Sequence, residues 1–172
     1  TVRGRNLLAD ADLIIYAGSL VNKELLQYAR EDCICLDSAS MTLEEVIGEM
    51  IPADRSGKKV VRLHTGDPSL YGAIREQMDM LDQEGLEYEV VPGVSSFCAA
   101  AAAMKAEYTL PDVSQTVIIT RMEGRTPVPF KEKISLLASH GATMAIFLST
   151  GLLKELQDQL MVGGYEGDTP AA

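Results

Sequence analysis

Two glycine-containing turns and one pair of arginines are the parts of this sequence best equipped for chemistry. The first turn is Thr65-Gly66-Asp67-Pro68 and the second is Pro92-Gly93-Val94-Ser95-Ser96. Each follows a short apolar run. Glycine lets backbone approach a ligand closely and reach positive φ. Asp67 offers a carboxylate to an ammonium or a hydroxyl group. Ser95 and Ser96 can cap a following helix and present donors to a carboxylate at its N-terminus. Arg121 and Arg125 lie four apart in the irregular stretch Arg121-Met122-Glu123-Gly124-Arg125-Thr126-Pro127. Two guanidinium groups so placed suit a ligand rich in carboxylates. Taken singly, each turn is also ordinary turn and cap chemistry, and the arginines also read as solvated surface charges.

Other chemistries lack their residues. Neither G-x-x-x-x-G-K-[S/T] nor G-x-G-x-x-G occurs, which removes support for nucleoside triphosphates and dinucleotides. No G-x-S-x-G is present for a serine nucleophile. His64 ends a strand beside the Gly-Asp-Pro turn and reads as a packed or hydrogen-bonded side chain. His140 has no partner at metal-ligand spacing, so no metal site is expected. The three cysteines, Cys33, Cys35 and Cys98, are odd in number and read as free thiols. No catalytic base is named.

The turns must be positioned by something, and the chain supplies alternating strands and helices. Leu13 to Ala17 reads as a buried strand and residues 21 to 30 as a helix. Cys33 to Leu36 is a second strand. Thr42 opens a helix with capping-box spacing to Glu45, and Pro52 and Gly57 are expected to end that unit. Val60 to Leu63 is a third strand leading into the Gly-Asp-Pro turn. A helix is expected from about Gly72 to Gln83, and a fourth strand from Glu87 to Val91 leading into the Pro-Gly turn. An alanine-rich helix follows from Ser96 to Lys105. Residues 106 to 115 read as a linker. Strands at Thr116 to Arg121 and Met144 to Leu148 then alternate with helices at 130 to 139 and 152 to 160.

This rhythm predicts an α/β protein with a largely parallel sheet in its first part, ligands lying outside the carboxyl ends of the strands. The expected division is a first α/β domain over 1–110 and a second over 111–172. The 172 residues are 47% hydrophobic and 23% charged, ordinary for a soluble protein. No apolar run reaches the roughly 18 residues of a membrane span. The net charge of −10 argues against a nucleic-acid partner. A cytoplasmic protein without membrane contact is expected.

The same segments resemble the tetrapyrrole methylase family. The stretches that carry the resemblance are Tyr16-Ala17-Gly18-Ser19-Leu20-Val21, Thr65-Gly66-Asp67-Pro68-Ser69-Leu70-Tyr71-Gly72-Ala73 and Val91-Pro92-Gly93-Val94-Ser95-Ser96. The segment Thr109-Leu110-Pro111-Asp112-Val113-Ser114-Gln115-Thr116, running on through Arg121 to Pro127, points to the branch that methylates carbon 11 of the ring on the cobalamin pathway; the alternatives are a sibling methylase acting at another ring position and a non-catalytic ligand-binding fragment of the same fold. The resemblance covers essentially the whole chain.

It implies two α/β domains, S-adenosyl-L-methionine as methyl donor and a small-molecule tetrapyrrole as acceptor. Cofactor contacts would fall on Thr65, Gly66, Asp67, Leu70, Ser95 and Ser96, with Leu148 as a further candidate. Arg121 and Arg125 would orient the carboxylates of the substrate. Relatives are homodimers, so a homodimer is implied. The family opens with a strand and a Gly-x-Gly-Pro-Gly-Asp-Pro-x-Leu-Leu-Thr loop. This chain starts at what matches the last Thr of that loop, and it lacks the C-terminal strands expected after Pro170. The expectation is an exposed sheet edge, prone to pairing, and much lower activity than a chain that carries the strand.

Overall fold

The computed structural model describes residues 1–18 and 20–172. Ser19, in one of the family-like stretches, lies outside the described residues. The chain divides into two compact units, Thr1–Ala99 and Ala100–Ala172.

The first unit is built around β1 (Leu13–Tyr16), whose four residues are all buried. Its neighbours are β2 (Ile34–Asp37) and β3 (Val60–Leu63), in the order β2-β1-β3 and all parallel. Strand residues alternate between faces, and the core alternates with them. Ile14 packs with Leu8 and Ala11 on one face, where Leu8 belongs to helix α1 (Val2–Asp10). Leu13 and Ile15 pack with Val46 on the other, where Val46 belongs to α2 (Leu43–Arg55). A central parallel strand covered on both faces has no polar side to show, which is why this run reads as continuously apolar.

A single carboxylate gathers the strand entrances. Asp12, just before β1, accepts a hydrogen bond from the backbone N–H of Lys59, just before β3, at 2.8 Å. It also accepts from Arg30 Nη2, just before β2, at 2.6 Å. The Lys59 N–H and then the Arg30 guanidinium hold the Asp12 carboxyl below its usual range.

Several expected elements change at their ends. The segment expected as a helix over 21–30 is a 3₁₀ helix, Lys23–Tyr28, started by the Asn22 side chain accepting from Glu24 N. The Thr42 capping box forms as expected, but Pro52 does not stop the helix, which continues to Arg55. Proline removes one helical N–H, yet Val46 and Ile47 anchor the preceding turns in the core. Helix α3 is Arg75–Gln83, starting three residues after Gly72. Tyr71 and Ala73 have φ of 56° and 49°, left-handed values that an α-helix excludes. The strand expected at 87–91 makes no ladder among the described residues, although β1, β2 and β3 do. An extended segment becomes a strand only where a neighbouring edge meets it.

In the second unit, β4 (Val117–Arg121) pairs in parallel with β5 (Thr143–Phe147). Helix α4 (Ser96–Met104) spans the division between units. The region expected as one helix over 130–139 is a 3₁₀ turn, Phe130–Glu132, followed by α5 (Ile134–Ala138). Lys133 between them is extended, with ψ 138°. Helix α6 is Leu153–Val162. Gly163 lies so close to α5 that an added Cβ would sit 2.4 Å from Ala138 Cβ.

The stretch 106–115, expected as a linker, is fastened to β5. Thr143 Oγ1 donates to the Tyr108 carbonyl at 2.9 Å, and Thr143 N donates to Ser114 Oγ at 3.0 Å. Leu110 and Ser114 form an antiparallel bridge. The division therefore falls between Ala99 and Ala100, earlier than the boundary expected after residue 110.

The sheet centre makes a stability prediction. Ile14 is 0% exposed, whereas Ile34 on β2 is 49% exposed. Ile14→Ala should lower unfolding free energy by about 2–5 kcal/mol. Ile34→Ala should cost less than about 1 kcal/mol. Urea melts of the two variants check the ordering.

Candidate functional site

The two glycine turns meet. β3 ends at Leu63 and delivers Thr65 to Pro68. The chain comes back through α3 and enters the second turn just before α4. Gly66 adopts φ 60°. Gly93 is pressed against it so tightly that an added Cβ would lie 1.8 Å from the Gly66 carbonyl oxygen. Only glycine fits there.

Asp67 joins the two turns. Its Oδ2 accepts from Gly93 N at 2.9 Å. Its Oδ1 accepts from Ser69 N at 2.9 Å and from the Ser69 hydroxyl. The Ser69 hydroxyl first, then the Gly93 and Ser69 amides, hold its carboxyl below the usual carboxylate range. Both carboxylate oxygens accept bonds within the protein, so Asp67 serves as a brace between the turns.

Around the brace lie the other expected residues. Thr65 and Gly66 are exposed, and Leu70 is half-buried. Ser95 is buried, and its carbonyl accepts from Cys98 N and Ala99 N as α4 begins. Ser96 opens that helix. Its backbone nitrogen lies 3.7 Å from the position of an added Cβ on Gly66. A recess of about 400 Å³ opens here, lined by Asp67, Leu70, Gly93, Ser95, Phe97 and Cys98 among others. Its walls offer apolar side chains, exposed backbone and the N-terminus of α4, a donor set suited to an amphipathic ligand carrying a carboxylate.

His64 directly precedes the first turn. Burial chiefly, and the Arg62 charge second, push it down to about 4. It is therefore neutral at pH 7, in keeping with a packed side chain. Gly72 is a second close-approach glycine, where an added Cβ would lie 2.2 Å from the Pro68 carbonyl oxygen.

The remaining candidates belong to the second unit and are described there by themselves. Arg121 donates to the carbonyls of Met122 (3.1 Å), Thr126 (3.0 Å) and Pro127 (3.0 Å). Three of its N–H groups therefore shape the loop, and Arg125 is left exposed on it. Leu148, directly after β5, is 71% exposed with φ 55°. A branched side chain in that conformation is uncommon and costs backbone strain.

Sequence reasoning missed Ser149. It is 3% exposed, accepts from Met122 N at 3.2 Å and donates to the Phe147 carbonyl at 2.6 Å, tying the ends of β4 and β5 together. A lone serine after a strand carries no signal that would have singled it out. Among the described residues there is no group of three or more His, Cys, Asp or Glu able to hold a metal ion, and no helix long and apolar enough to cross a membrane.

Comparison with known proteins assigns the family. The Tetrapyrrole (Corrin/Porphyrin) Methylases match residues 1–172. The chain belongs to the tetrapyrrole methylase family. It is 55% identical to the cobalt-precorrin-4 C(11)-methyltransferase of Methanocaldococcus jannaschii, over 100% of this chain and 66% of that protein. It is 51% identical to the enzyme of the same name from Priestia megaterium, over 99% of this chain and 66% of that protein. The chain thus spans about two thirds of the length of these curated relatives. Among solved structures, a cobalamin biosynthetic enzyme, cobalt precorrin-4 methyltransferase, superposes with a TM-score of 0.93 at 51% identity, over 96% of this chain and 70% of that one. The tetrapyrrole methylase fold, with parallel α/β sheets, is shared.

Two predictions follow from the brace and from His64. Asp67→Ala should release Gly93 N and speed its amide exchange at least tenfold, while β1 amides stay protected; hydrogen exchange by NMR reads both. His64 has a folded value below its unfolded one, so the unfolded chain binds the extra proton between pH 6.5 and about 4. Stability should fall as pH drops through that window, and His64→Gln should flatten the fall in urea midpoint.

Proposed function

We propose that this chain carries the cofactor turns of an S-adenosyl-L-methionine-dependent methyltransferase that acts on carbon 11 of precorrin-4 or cobalt-precorrin-4 in cobalamin biosynthesis. The observation that carries the proposal is the pair of turns locked by Asp67 and Gly93, in a chain more than half identical to proteins named for that reaction.

When bound, S-adenosyl-L-methionine supplies a methyl group already activated by its sulfonium. The protein's task is then alignment more than proton transfer. Gly66 and Gly93 expose backbone where a ligand can lie close. The first-turn amides of α4, at Ser96 and beyond, suit a carboxylate. Thr65 and the half-buried Leu70 border the same turns. Asp67 holds the turns in register. Leu148 and the exposed Arg125 are proposed as cofactor and substrate contacts, and Arg121 as the residue that sets the loop on which Arg125 stands. A guanidinium on that loop suits the many carboxylates of the tetrapyrrole. The reading extends to a cytoplasmic homodimer; the charge of −10 supports a partner other than nucleic acid.

Calorimetric titration with S-adenosylhomocysteine tests the cofactor half. Micromolar binding that weakens at least tenfold in Gly93→Ala is expected; absence of binding to the folded chain contradicts the proposal. The substrate half is tested by kinetics in a chain extended to the relatives' length. Arg125→Ala should raise the KM for the tetrapyrrole several-fold and leave cofactor affinity unchanged. Equal losses in both would remove the assigned role.

A further inference from the structure

Two thiols outside the candidate site stand together at the entrance of β2. Cys33 directly precedes the strand, and Cys35 is its second residue. Residues two apart on a strand share a face. Cys35 lies opposite Ile14 in the ladder, and Cys33 packs against the cluster of Leu8, Ala11 and Ile14. Both side chains therefore stand on the α1 face of the sheet. Along the strand the two sulfurs lean toward each other. Cys33 Sγ lies 3.7 Å from the Ile34 carbonyl oxygen, ahead of its own residue. Cys35 Sγ lies 4.0 Å from the Cys33 carbonyl oxygen, behind its own residue. Both thus sit over the backbone that joins the pair. The thiols also act on each other: burial first, and the Cys35 thiol second, push the Cys33 thiol up to about 11.

The backbone under the pair is fixed by the fold itself. Cys33 N donates to the Arg30 carbonyl at 3.1 Å, closing the turn into the strand, and Ile34 N donates to the Asp12 carbonyl at 3.0 Å. Cys35 is held by the ladder with β1. On its other side β2 meets no strand among the described residues, so the pair stands at an open edge. Cys35 is exposed and Cys33 is half-buried. An ion can reach the pair from solvent, and one of the two sulfurs is already drawn away from water.

The number and kind of donors select the ligand. A disulfide within the pair is disfavoured, because residues two apart on a strand have Cα atoms about 6.6 Å apart, close to the upper limit of about 6.8 Å for that bond. Zinc asks for four ligands in a structural site. Among the described residues no third His, Cys, Asp or Glu joins the two thiols. Asp12 and Asp32, acids at this strand entrance, are paired with Arg30 at 2.6 and 3.0 Å. Hard cations prefer oxygen ligands and gain little from sulfur. Two thiolates alone suit a soft cation with a filled d shell that is content with two ligands, and copper(I) is that cation.

We propose that Cys33 and Cys35 form a two-coordinate site for one copper(I) ion at the edge of β2. Each thiol releases its proton to solvent, and each sulfur donates an electron pair to the metal. No electron is transferred: copper stays in the +1 state, and the two thiolates with the ion carry one negative charge. The Arg30 charge acts on Cys33 in the direction that favours its thiolate. The site lies at the strand entrances, with Asp12, at the far end of the sheet from the glycine turns. Copper binding is therefore independent of methyl transfer and would hold for a chain that transfers nothing.

The test uses this chain, reduced and kept free of oxygen, with copper(I) supplied as its complex with the chromophoric chelator bicinchoninate. One copper ion per chain should leave the chelator, and a thiolate-to-copper charge-transfer band should appear in the ultraviolet. Cys33→Ser and Cys35→Ser should each weaken uptake at least tenfold, whereas Cys98→Ser should leave it unchanged. NMR shifts on binding should fall at residues 33–36 and at Ile14, with residues 65–70 and 93–97 unmoved. Amide protection in β1 reports that each variant is folded. The proposal is overturned if a folded chain takes no copper from the chelator, if either Cys33→Ser or Cys35→Ser binds as the parent does, if Cys98→Ser loses binding equally, or if zinc occupies the pair as tightly as copper. Two chains per ion would place the metal between copies and overturn it equally. A disulfide that forms between Cys33 and Cys35 on mild oxidation, in a chain that refuses copper, would assign the pair to redox chemistry and also overturn it.

Discussion

One carboxylate sets the geometry on which the candidate site depends. Asp67 accepts from Gly93 across the gap between two turns and from Ser69 within its own turn. The turns come from the ends of two extended segments separated by a whole helix, so nothing local in sequence holds them together. The acceptor bonds of an ionised carboxylate to backbone amides are stronger than neutral ones and fix direction as well as distance. Gly66 and Gly93 complete the joint, the first through φ 60° and the second by having no Cβ. The recess beside α4 takes its shape from this joint.

The remainder of the first unit can be understood as the support for that joint. β1 is buried on both faces, and Asp12 gathers the entrances of the three strands at the far end from the turns. Strand exits are left to loops, as parallel α/β architecture requires, and that is where ligand chemistry is expected. Asp12 and Asp67 use a similar device at opposite ends of the sheet: a carboxylate held in its charged form by a backbone amide from another segment together with a side-chain donor, Arg30 for Asp12 and the Ser69 hydroxyl for Asp67. In the second unit a neutral group takes the same part, the Ser149 hydroxyl joining the ends of β4 and β5.

Much of the core was legible in the sequence. β3 has the limits that its four apolar-framed residues suggested, and Thr42 with Glu45 forms the capping box that their spacing announced. The site turns were found because glycine and proline punctuate a chain at strand ends. Their joining was not legible, since Asp67 and Gly93 are 26 apart and only the fold brings them together. The errors have a common source in tertiary context. Residues 87–91 have strand composition but meet no edge; Pro52 has a breaker's chemistry but sits in a helix already anchored by Val46 and Ile47. Helix α1 stands outside the expected elements, and Thr1 caps it by accepting from Gly4 N. The role given to Arg121 shifts for a similar reason, because its guanidinium is drawn to three carbonyls of its own loop.

The account claims above all that the braced turns bind the methyl donor. The most direct test is to add S-adenosylhomocysteine to the isotope-labelled chain and map which backbone amides shift. Saturable shifts concentrated at residues 65–70 and 93–97 are predicted, with the rest of the first unit little changed. Saturable shifts that leave both turns untouched would contradict it.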